Sequence, residues 1–238
     1  MHIDIGAREI TIKLVYYGPA LSGKTTNLQA LHQAAAPGST GRLMSLETRD
    51  DRTLFFDLLP LSFREQGVAV RLKVFTVPGQ VIHSSTRRLV VQGADGIVFV
   101  ADSRIAETEN NAESFLDLRR NLKEQGLNVH RMPVVIQFNK RDLPDIRSDE
   151  DISVLAAQGR EPVYASVATK GVGVVETFIS ALELTCRSLE LEHQLSQKFA
   201  FDYDRFLSEV AAKLAQTRSV EDLVAARLGG GEHGAGVP

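Results

Sequence analysis

Two kinds of hydrophobic spacing alternate along this chain between residues 10 and 195. Short apolar runs are typical of buried strands, and stretches with apolar residues three and four positions apart are typical of amphipathic helices. Strands that alternate with helices predict an α/β fold, in which helices cover a largely parallel sheet. The predicted strands are 10–17, 54–59, 68–77, 96–102, 133–138 and 161–165. The predicted helices are 25–32, 84–91, 107–124, 149–157 and 172–195.

The strands at 54–59 and 68–77 follow one another without an intervening helix, which predicts an antiparallel hairpin. We therefore expect a mostly parallel six-stranded sheet with one antiparallel edge strand and helices on both faces. In such sheets, ligands bind beyond the carboxyl ends of the strands. Within the helix at 84–91, we expect Leu89 and Val90 to point inward.

The chain continues past the last strand–helix unit, so we expect three parts: an α/β domain at 1–195, a helical extension at 196–228 and a flexible tail at 229–238. Ser219, three residues before Asp222, resembles a helix N-cap and predicts a short second helix. A first helix in the extension, before Ser219, has an apolar face. We favour that this face packs on the domain; the alternative is that it is presented to a partner. That face consists of Tyr203, Phe206, Leu207, Val210 and Leu214.

The bulk composition excludes several classes of protein. The 238 residues are 43% hydrophobic and 24% charged, which is ordinary for a globular protein. The net charge of −3 provides no strong basic field, so we expect no nucleic-acid partner. No apolar run is long enough for a membrane-spanning helix, and no signal peptide precedes the domain, so we expect a cytoplasmic protein. The single cysteine, Cys186, rules out an internal disulfide and is expected in the core.

A glycine-rich loop separates the first predicted strand from the first helix. Its sequence, Gly-Pro-Ala-Leu-Ser-Gly-Lys-Thr at 18–25, fits the phosphate-loop pattern G-x-x-x-x-G-K-S/T. Such a loop wraps its backbone N–H groups around phosphate, and the helix N-terminus adds positive potential. Lys24 would reach the terminal phosphates, and the Thr25 hydroxyl would bind Mg²⁺. The predicted phosphate-binding residues are Gly18, Ala20, Leu21, Ser22, Gly23, Lys24, Thr25 and Thr26.

A second polar motif, Asn139-Lys140-Arg141-Asp142, directly follows the strand at 133–138. The Asp142 carboxylate could accept hydrogen bonds from the ring nitrogen and the exocyclic amine of guanine, and adenine has no matching pair of donors. Asn139 could tie this motif to the phosphate loop, and the aliphatic stem of Lys140 could cover one face of the base. Together the two motifs predict a guanine-nucleotide site.

With both motifs in place, the chain resembles the Ras-like small GTPases, and more closely the bacterial mutual-gliding (MglA) family of polarity GTPases. The resemblance covers about residues 8–189 and does not include the C-terminal extension. It implies a P-loop NTPase fold of the Ras type that binds GTP or GDP with Mg²⁺. Besides the two motifs, the segments that carry it are 15–19, 26–28, 51–57, 76–80, 95–103 and 143–144.

The resemblance also implies roles for two switch segments. In the first, Thr53 would sense Mg²⁺ and the γ-phosphate, and Arg52 would be an intrinsic arginine finger that neutralises charge in the transition state. In the second, Gln80 would orient the attacking water, and the N–H group of Gly79 would contact the γ-phosphate.

The match is weaker at three places. Ras-like proteins usually place an aspartate where this chain has Thr76, and Asp57 is our candidate for the carboxylate that compensates on the Mg²⁺ side. Ala20 stands where glycine is common, and its Cβ would crowd the reacting groups, so we expect hydrolysis slower than in relatives with glycine. The final guanine motif is short: Val167 and Ala168 would line the base, with the Ala168 N–H group pointing at the guanine oxygen.

By this resemblance, the chain would be a switch that slowly hydrolyses GTP and controls bacterial cell polarity or motility through nucleotide-dependent binding. The implied partners are a Roadblock-type GTPase-activating homodimer, similar to MglB, and polarity or motility effectors, which could recruit the protein to a cell pole or membrane. The alternative is a GTP-binding scaffold with negligible hydrolysis, which Ala20 and Thr76 favour. An ATP-using phosphotransferase conflicts with Asp142.

Overall fold

A computed structural model of the chain describes residues 1–46, 56–65, 67–78, 84–128, 131–214 and 217–228. The strands in this part of the chain are β1 His2–Asp4, β2 Glu9–Tyr17, β3 Met44–Leu46, β4 Phe56–Glu65, β5 Val68–Thr76, β6 Gly96–Asp102, β7 Val134–Asn139 and β8 Val163–Ala165. The helices are α1 Lys24–Ala34, α2 Ser84–Val91, α3 Thr108–Glu124, α4 Asp149–Gln158, α5 Val174–His193, α6 Leu195–Phe199, α7 Tyr203–Lys213 and α8 Val220–Ala225. None of these helices is both long enough and apolar enough to cross a membrane.

All the described strands belong to one sheet, in the order β3-β4-β5-β2-β6-β7-β8, with β1 paired to β2 beyond this path. The pairs from β5 through β2, β6 and β7 to β8 are parallel, which confirms the mostly parallel α/β prediction. The β4–β5 hairpin is antiparallel, as predicted. The sheet has eight described strands rather than six, because β1 and β3 have three residues each and are too short to carry a recognisable periodicity.

Helices cover both faces of the sheet, and the side chains of β2 alternate between them. Leu14 and Tyr16 join the hydrophobic cluster that includes residues of α1, α5 and α7. Val15 and Tyr17 join a second cluster, which includes residues of α2 and α3. All seven residues of β6 are buried, as expected for a central strand of a parallel sheet with two covered faces.

The bounds of α2 agree with the prediction, but its orientation does not. Val90 points inward, whereas Leu89 is 58% exposed, so the inward prediction for Leu89 was wrong. The inward face is shared by Thr86 and Arg87, which are both buried. Arg87 occupies an interior position because its guanidinium forms an ion pair with Asp117 of α3, at 2.8 Å. A polar partner in another helix therefore decides the orientation of α2.

The C-terminal helices pack on the domain. Phe206 and Val210 of α7 are fully buried in the cluster that contains α1 and α5. The chain then passes through α8, where the carbonyl of Val224 accepts a hydrogen bond from the Tyr164 hydroxyl at 2.7 Å. Beyond α8, the Leu228 N–H group donates to the carbonyl of Val163, also at 2.7 Å. The predicted cap is present, because the Ser219 side chain accepts a hydrogen bond from the Asp222 amide at 3.1 Å.

The close packing of α5 on β6 generates a stability prediction. A Cβ at Gly96 would lie 2.0 Å from Thr185 Oγ1 and 2.9 Å from Leu14 Cδ2, in a fully packed interior. Gly96→Ala should therefore lower the free energy of unfolding by about 1–3 kcal/mol, the range for overpacked cores, measured by urea denaturation. Gly6→Ala is the matched control, because a Cβ there meets only Asp4 Oδ1, at an ordinary 3.5 Å. Equal midpoints for the two variants would contradict the prediction.

Candidate functional site

The loop between β2 and α1 is shaped by two glycines whose conformations and surroundings exclude a side chain. Gly18 has a φ of +148°, and a Cβ there would lie 2.2 Å from the carbonyl oxygen of Val100 on β6. Gly23 has a φ of +98° and precedes α1; its Cβ would lie 2.2 Å from Asn139 Nδ2. The loop is thus pressed against the carboxyl ends of β6 and β7, where a parallel sheet binds its ligands.

Lys24 folds back into this loop. Its ammonium group donates hydrogen bonds to the carbonyl oxygens of Gly18, at 3.0 Å, and Pro19, at 2.6 Å. Burial and, to a smaller extent, the nearby charge of Arg87 lower the pKa of Lys24 to about 7, with Asp57 partly opposing both. A phosphate group in the loop would place a negative charge beside the Lys24 ammonium and so favour its charged form.

Asp57 lies beside Thr25, although it comes from an antiparallel strand. Asp57 Oδ2 accepts hydrogen bonds from the hydroxyl of Thr25, at 2.6 Å, and from the hydroxyl of Thr76, at 2.9 Å. Thr76 Oγ1 in turn accepts a hydrogen bond from the Asp57 amide, at 2.9 Å. Thr76 stands where Ras-like proteins usually have an aspartate, and Asp57 is the carboxylate that we predicted to replace that aspartate. The structure places the two residues in direct hydrogen-bond contact.

The oxygens of Thr25 and Asp57 form a donor set that fits Mg²⁺, which prefers carboxylate and other hard oxygen ligands. Among the described residues, no group of three or more His, Cys, Asp or Glu side chains could hold a metal ion. A metal at Thr25 would therefore need phosphate oxygens and water for its remaining positions, as Mg²⁺ usually does at nucleotide sites.

Asn139 connects three loops at the other side of the site. Its Nδ2 donates to the carbonyl of Ser22, at 2.8 Å, which is the predicted tie to the phosphate loop. Its Oδ1 accepts hydrogen bonds from the Ser166 hydroxyl, at 3.0 Å, and from the Ala168 amide, at 2.9 Å. The amide that the resemblance assigns to the guanine oxygen is thus engaged with Asn139, and a base would have to share it. Val167 is half-buried between these two residues.

Lys140 is held by a carboxylate that sequence reasoning did not identify as part of the site. Its ammonium donates to Asp102 Oδ2 at 2.6 Å, and Arg104 approaches the same carboxylate at 2.7 Å. Burial alone would raise the pKa of Asp102, but the hydrogen bonds from Arg104 and Lys140 outweigh it and keep that pKa below its usual value. Asp142 stands at the rim, where its carboxylate lies 3.4 Å from the ammonium of Lys170.

A buried amide network behind the phosphate loop was also missed. Gln137 is fully buried on β7 and donates to Asn27 Oδ1 and Thr177 Oγ1, each at 3.0 Å. Asn27 donates in turn to the carbonyl of Gly23, at 2.9 Å. The network joins β7, α1 and α5 directly beneath the loop. The available signal was one glutamine in an otherwise apolar strand, which indicates a buried polar partner.

A second network lies on the opposite face of the sheet. Asp117 of α3 accepts hydrogen bonds from Tyr17, the residue before Gly18, and from Asn121, at 3.1 Å. Together with its ion pair to Arg87, this carboxylate joins α2 and α3 to the strand that enters the phosphate loop.

The four residues assigned to the two switches lie outside the described residues. These are Arg52 and Thr53 in the first switch and Gly79 and Gln80 in the second. Their roles stay predictions from the resemblance. The chain reaches the second switch from Val77, whose amide donates to the carbonyl of Tyr16 at 3.1 Å, beside the start of the phosphate loop.

The comparisons with known proteins agree with this geometry. No protein-family model matches the chain. The mutual gliding-motility protein MglA of Myxococcus xanthus (strain DK1622) is 47% identical over 189 residues, which cover 97% of that protein and 79% of this chain. About a fifth of this chain therefore lies outside the alignment.

The low pKa of Lys24 generates a prediction for nucleotide binding. At pH 8 the side chain is largely neutral in the free protein, since its pKa is about 7. Phosphate groups raise that pKa, so GDP binding at pH 8 without metal should take up close to one proton. Calorimetry in buffers of different ionisation enthalpy measures this uptake.

Lys24→Arg is the control for this measurement, because a guanidinium stays charged at pH 8 and should abolish the uptake. Binding heats that do not change with the buffer for the wild-type protein would contradict the prediction.

Proposed function

Because this chain belongs to the MglA family of small GTPases, we propose that it is a molecular switch that binds GTP and GDP with Mg²⁺ and slowly hydrolyses GTP. The observation that supports this most directly is the meeting of two motifs at one end of the sheet: Asn139 of the guanine motif is hydrogen-bonded to Ser22 of the phosphate loop, at 2.8 Å. One ligand could therefore touch both motifs, and a guanine nucleotide has the phosphate and the base that they would recognise.

Each part of the nucleotide has a proposed set of contacts. The loop amides and Lys24 would hold the phosphates, and the Thr25 hydroxyl with the Asp57 carboxylate would hold Mg²⁺. Bound Mg²⁺ would neutralise charge on the phosphate oxygens. Asp142 would accept the two guanine hydrogen bonds, while Lys140, fixed by Asp102, would cover the base face.

Hydrolysis would depend on Gln80, which orients the water, and on Arg52, which stabilises the charge that develops on the phosphate. Thr53 and the Gly79 amide would sense the γ-phosphate, so GTP would order both switch segments and hydrolysis would release them. The exposed Ala20 would slow this step by crowding Gln80 or Arg52.

The cellular role that we propose is control of bacterial polarity or gliding motility, in line with the name of the Myxococcus relative. The GTP-bound form would bind a Roadblock-type homodimer that activates hydrolysis, and effectors that recruit the protein from the cytoplasm to a cell pole. Ala20 and Thr76 are the two departures from the Ras-like pattern that favour a scaffold without hydrolysis. The Thr76 departure supports the scaffold less than it first suggests, because the Asp57 carboxylate is hydrogen-bonded to Thr76 and could replace the usual aspartate.

Nucleotide selectivity and turnover test the proposed function. The wild-type protein should bind GTP at least 100-fold more tightly than ATP and should hydrolyse it in single-turnover assays, faster with a cognate Roadblock partner. Asp142→Ala should weaken GTP binding by about 3 kcal/mol, the cost of losing charge-assisted hydrogen bonds, and leave the ATP affinity unchanged. Glu150→Ala on α4 is the charge-matched control. Equal affinities for ATP and GTP in the wild-type protein would refute the proposal.

The metal role of Asp57 has its own test. Asp57→Asn keeps the shape but removes the charge, so the Mg²⁺ concentration that half-maximally slows GDP release should rise at least tenfold, or about 1.4 kcal/mol. Release in excess chelator should be the same for both proteins, which isolates the metal contribution. An unchanged Mg²⁺ requirement would mean that another group completes the metal site.

A further inference from the structure

The C-terminal extension supplies a substantial part of the hydrophobic core on the α1 face. Its buried residues Phe199, Phe201, Phe206, Val210 and Leu223 all belong to the same cluster as α1 and β4. The contacts of the extension show which elements of the domain it packs against.

The first element that α7 holds is β4. The ring of Phe206 meets the ring of Phe63 edge-on, with centroids 5.9 Å apart and an interplanar angle of 86°. The ammonium of Lys213 lies 5.2 Å from the centroid of the same Phe63 ring, and Lys213 is also paired with Glu209 one turn earlier, at 2.5 Å. Phe201 packs against Phe206 from the other side, at 5.3 Å. Phe63 is thus enclosed by α7.

The second element that α7 holds is the end of α1. The carbonyl of Lys213, the last residue of α7, accepts a hydrogen bond from the Ala36 amide at 2.7 Å. Ala36 lies two residues beyond α1. The same helix therefore contacts both β4 and the segment that leaves α1.

These two elements carry the two halves of the proposed metal site. Thr25 is in the first turn of α1, and Asp57 is on β4. Side chains on a strand alternate between faces, so Asp57 and Phe63 share a face and lie about 20 Å apart along the strand. Asp57, Leu59, Leu61 and Phe63 are all buried, whereas Ser62 and Arg64 on the opposite face are exposed. Among the described residues, β4 is therefore covered mainly on the face where α1 and α7 lie.

We propose that the C-terminal extension is a positioning element for the metal site: α7, docked on Phe63 and on Ala36, sets β4 against α1 and so keeps the Asp57 carboxylate at the Thr25 hydroxyl. This inference depends on the proposed function for the Mg²⁺ role of Asp57. It assigns the extension an effect on nucleotide retention although Phe63, where α7 docks, lies about 20 Å along β4 from Asp57. A displacement of about 1 Å of a functional group in such a site can change activity strongly. A distant element that sets the position of Asp57 can therefore affect the metal site.

The test compares two substitutions in the full chain that weaken the extension at different places. Phe206→Leu removes the ring that meets Phe63. Leu223→Ala removes a fully buried side chain of α8, which packs on α5 and α7, and serves as the control for general loosening. Lys213→Met, at a half-exposed position, provides a milder variant that removes the charge over Phe63 and leaves no cavity in the core.

Two readouts separate positioning from stability. The first is the Mg²⁺ concentration that half-maximally slows release of GDP, which should rise about tenfold in Phe206→Leu and about threefold in Lys213→Met, and stay within twofold of wild type in Leu223→Ala. The second is amide hydrogen exchange in the nucleotide-free protein, which should accelerate at residues 56–59 in Phe206→Leu but not in Leu223→Ala.

The inference is overturned if Phe206→Leu leaves the Mg²⁺ requirement unchanged, or if Leu223→Ala raises it equally. A wild-type protein whose GDP release does not respond to Mg²⁺ would refute the proposed function instead. In that case hydrogen exchange still decides whether α7 positions the Asp57 end of β4. Faster exchange at residues 56–59 in Phe206→Leu alone would support this positioning, and equal exchange in both variants would reject it.

Discussion

The site depends on one point of contact, where the phosphate loop passes the side chain of Asn139. There is room for the hydrogen bond from Asn139 Nδ2 to Ser22, but a methyl group on Gly23 would lie 2.2 Å from that nitrogen. The other end of the same amide holds Ser166 and Ala168. A neutral hydrogen bond contributes only about 1 kcal/mol to stability. Its larger effect here is geometric, because one side chain aligns three loops that come from distant parts of the chain.

Behind this contact, polar networks occupy both faces of the sheet. Gln137 ties the loop to α1 and α5 on one face, and Asp117 ties the preceding strand to α2 and α3 on the other. Hydrogen bonds between buried polar side chains fix the orientation of the groups that make them, so such networks permit few alternative arrangements. The phosphate loop is therefore held from both faces of the sheet.

Most of the fold could be predicted from the sequence, because strands and helices with a buried face have a clear periodicity. The two motifs could be predicted too, since each is continuous in the chain and follows a strand. The errors have tertiary causes. Leu89 is exposed because Arg87 has a partner, Asp117, that lies 30 positions away in the chain. The proximity of Asp57 to Thr25 depends on the register between β4 and β5, which no local pattern specifies.

The outermost strands of an open sheet present unpaired backbone groups to other chains. On one side, the stretch after α1 runs back along β4: Thr40 bridges to Leu61, and β3 pairs with Asp57 and its neighbours. On the other side, the Leu228 N–H group donates to the carbonyl of Val163 on β8 and forms a single antiparallel bridge there. The chain itself therefore pairs with β4 on one side of the sheet and with Val163 of β8 on the other. Loss of the extension would uncover Val163 on β8 together with the Phe63 ring, and an unpaired strand edge beside an exposed apolar side chain is a site where other chains can pair.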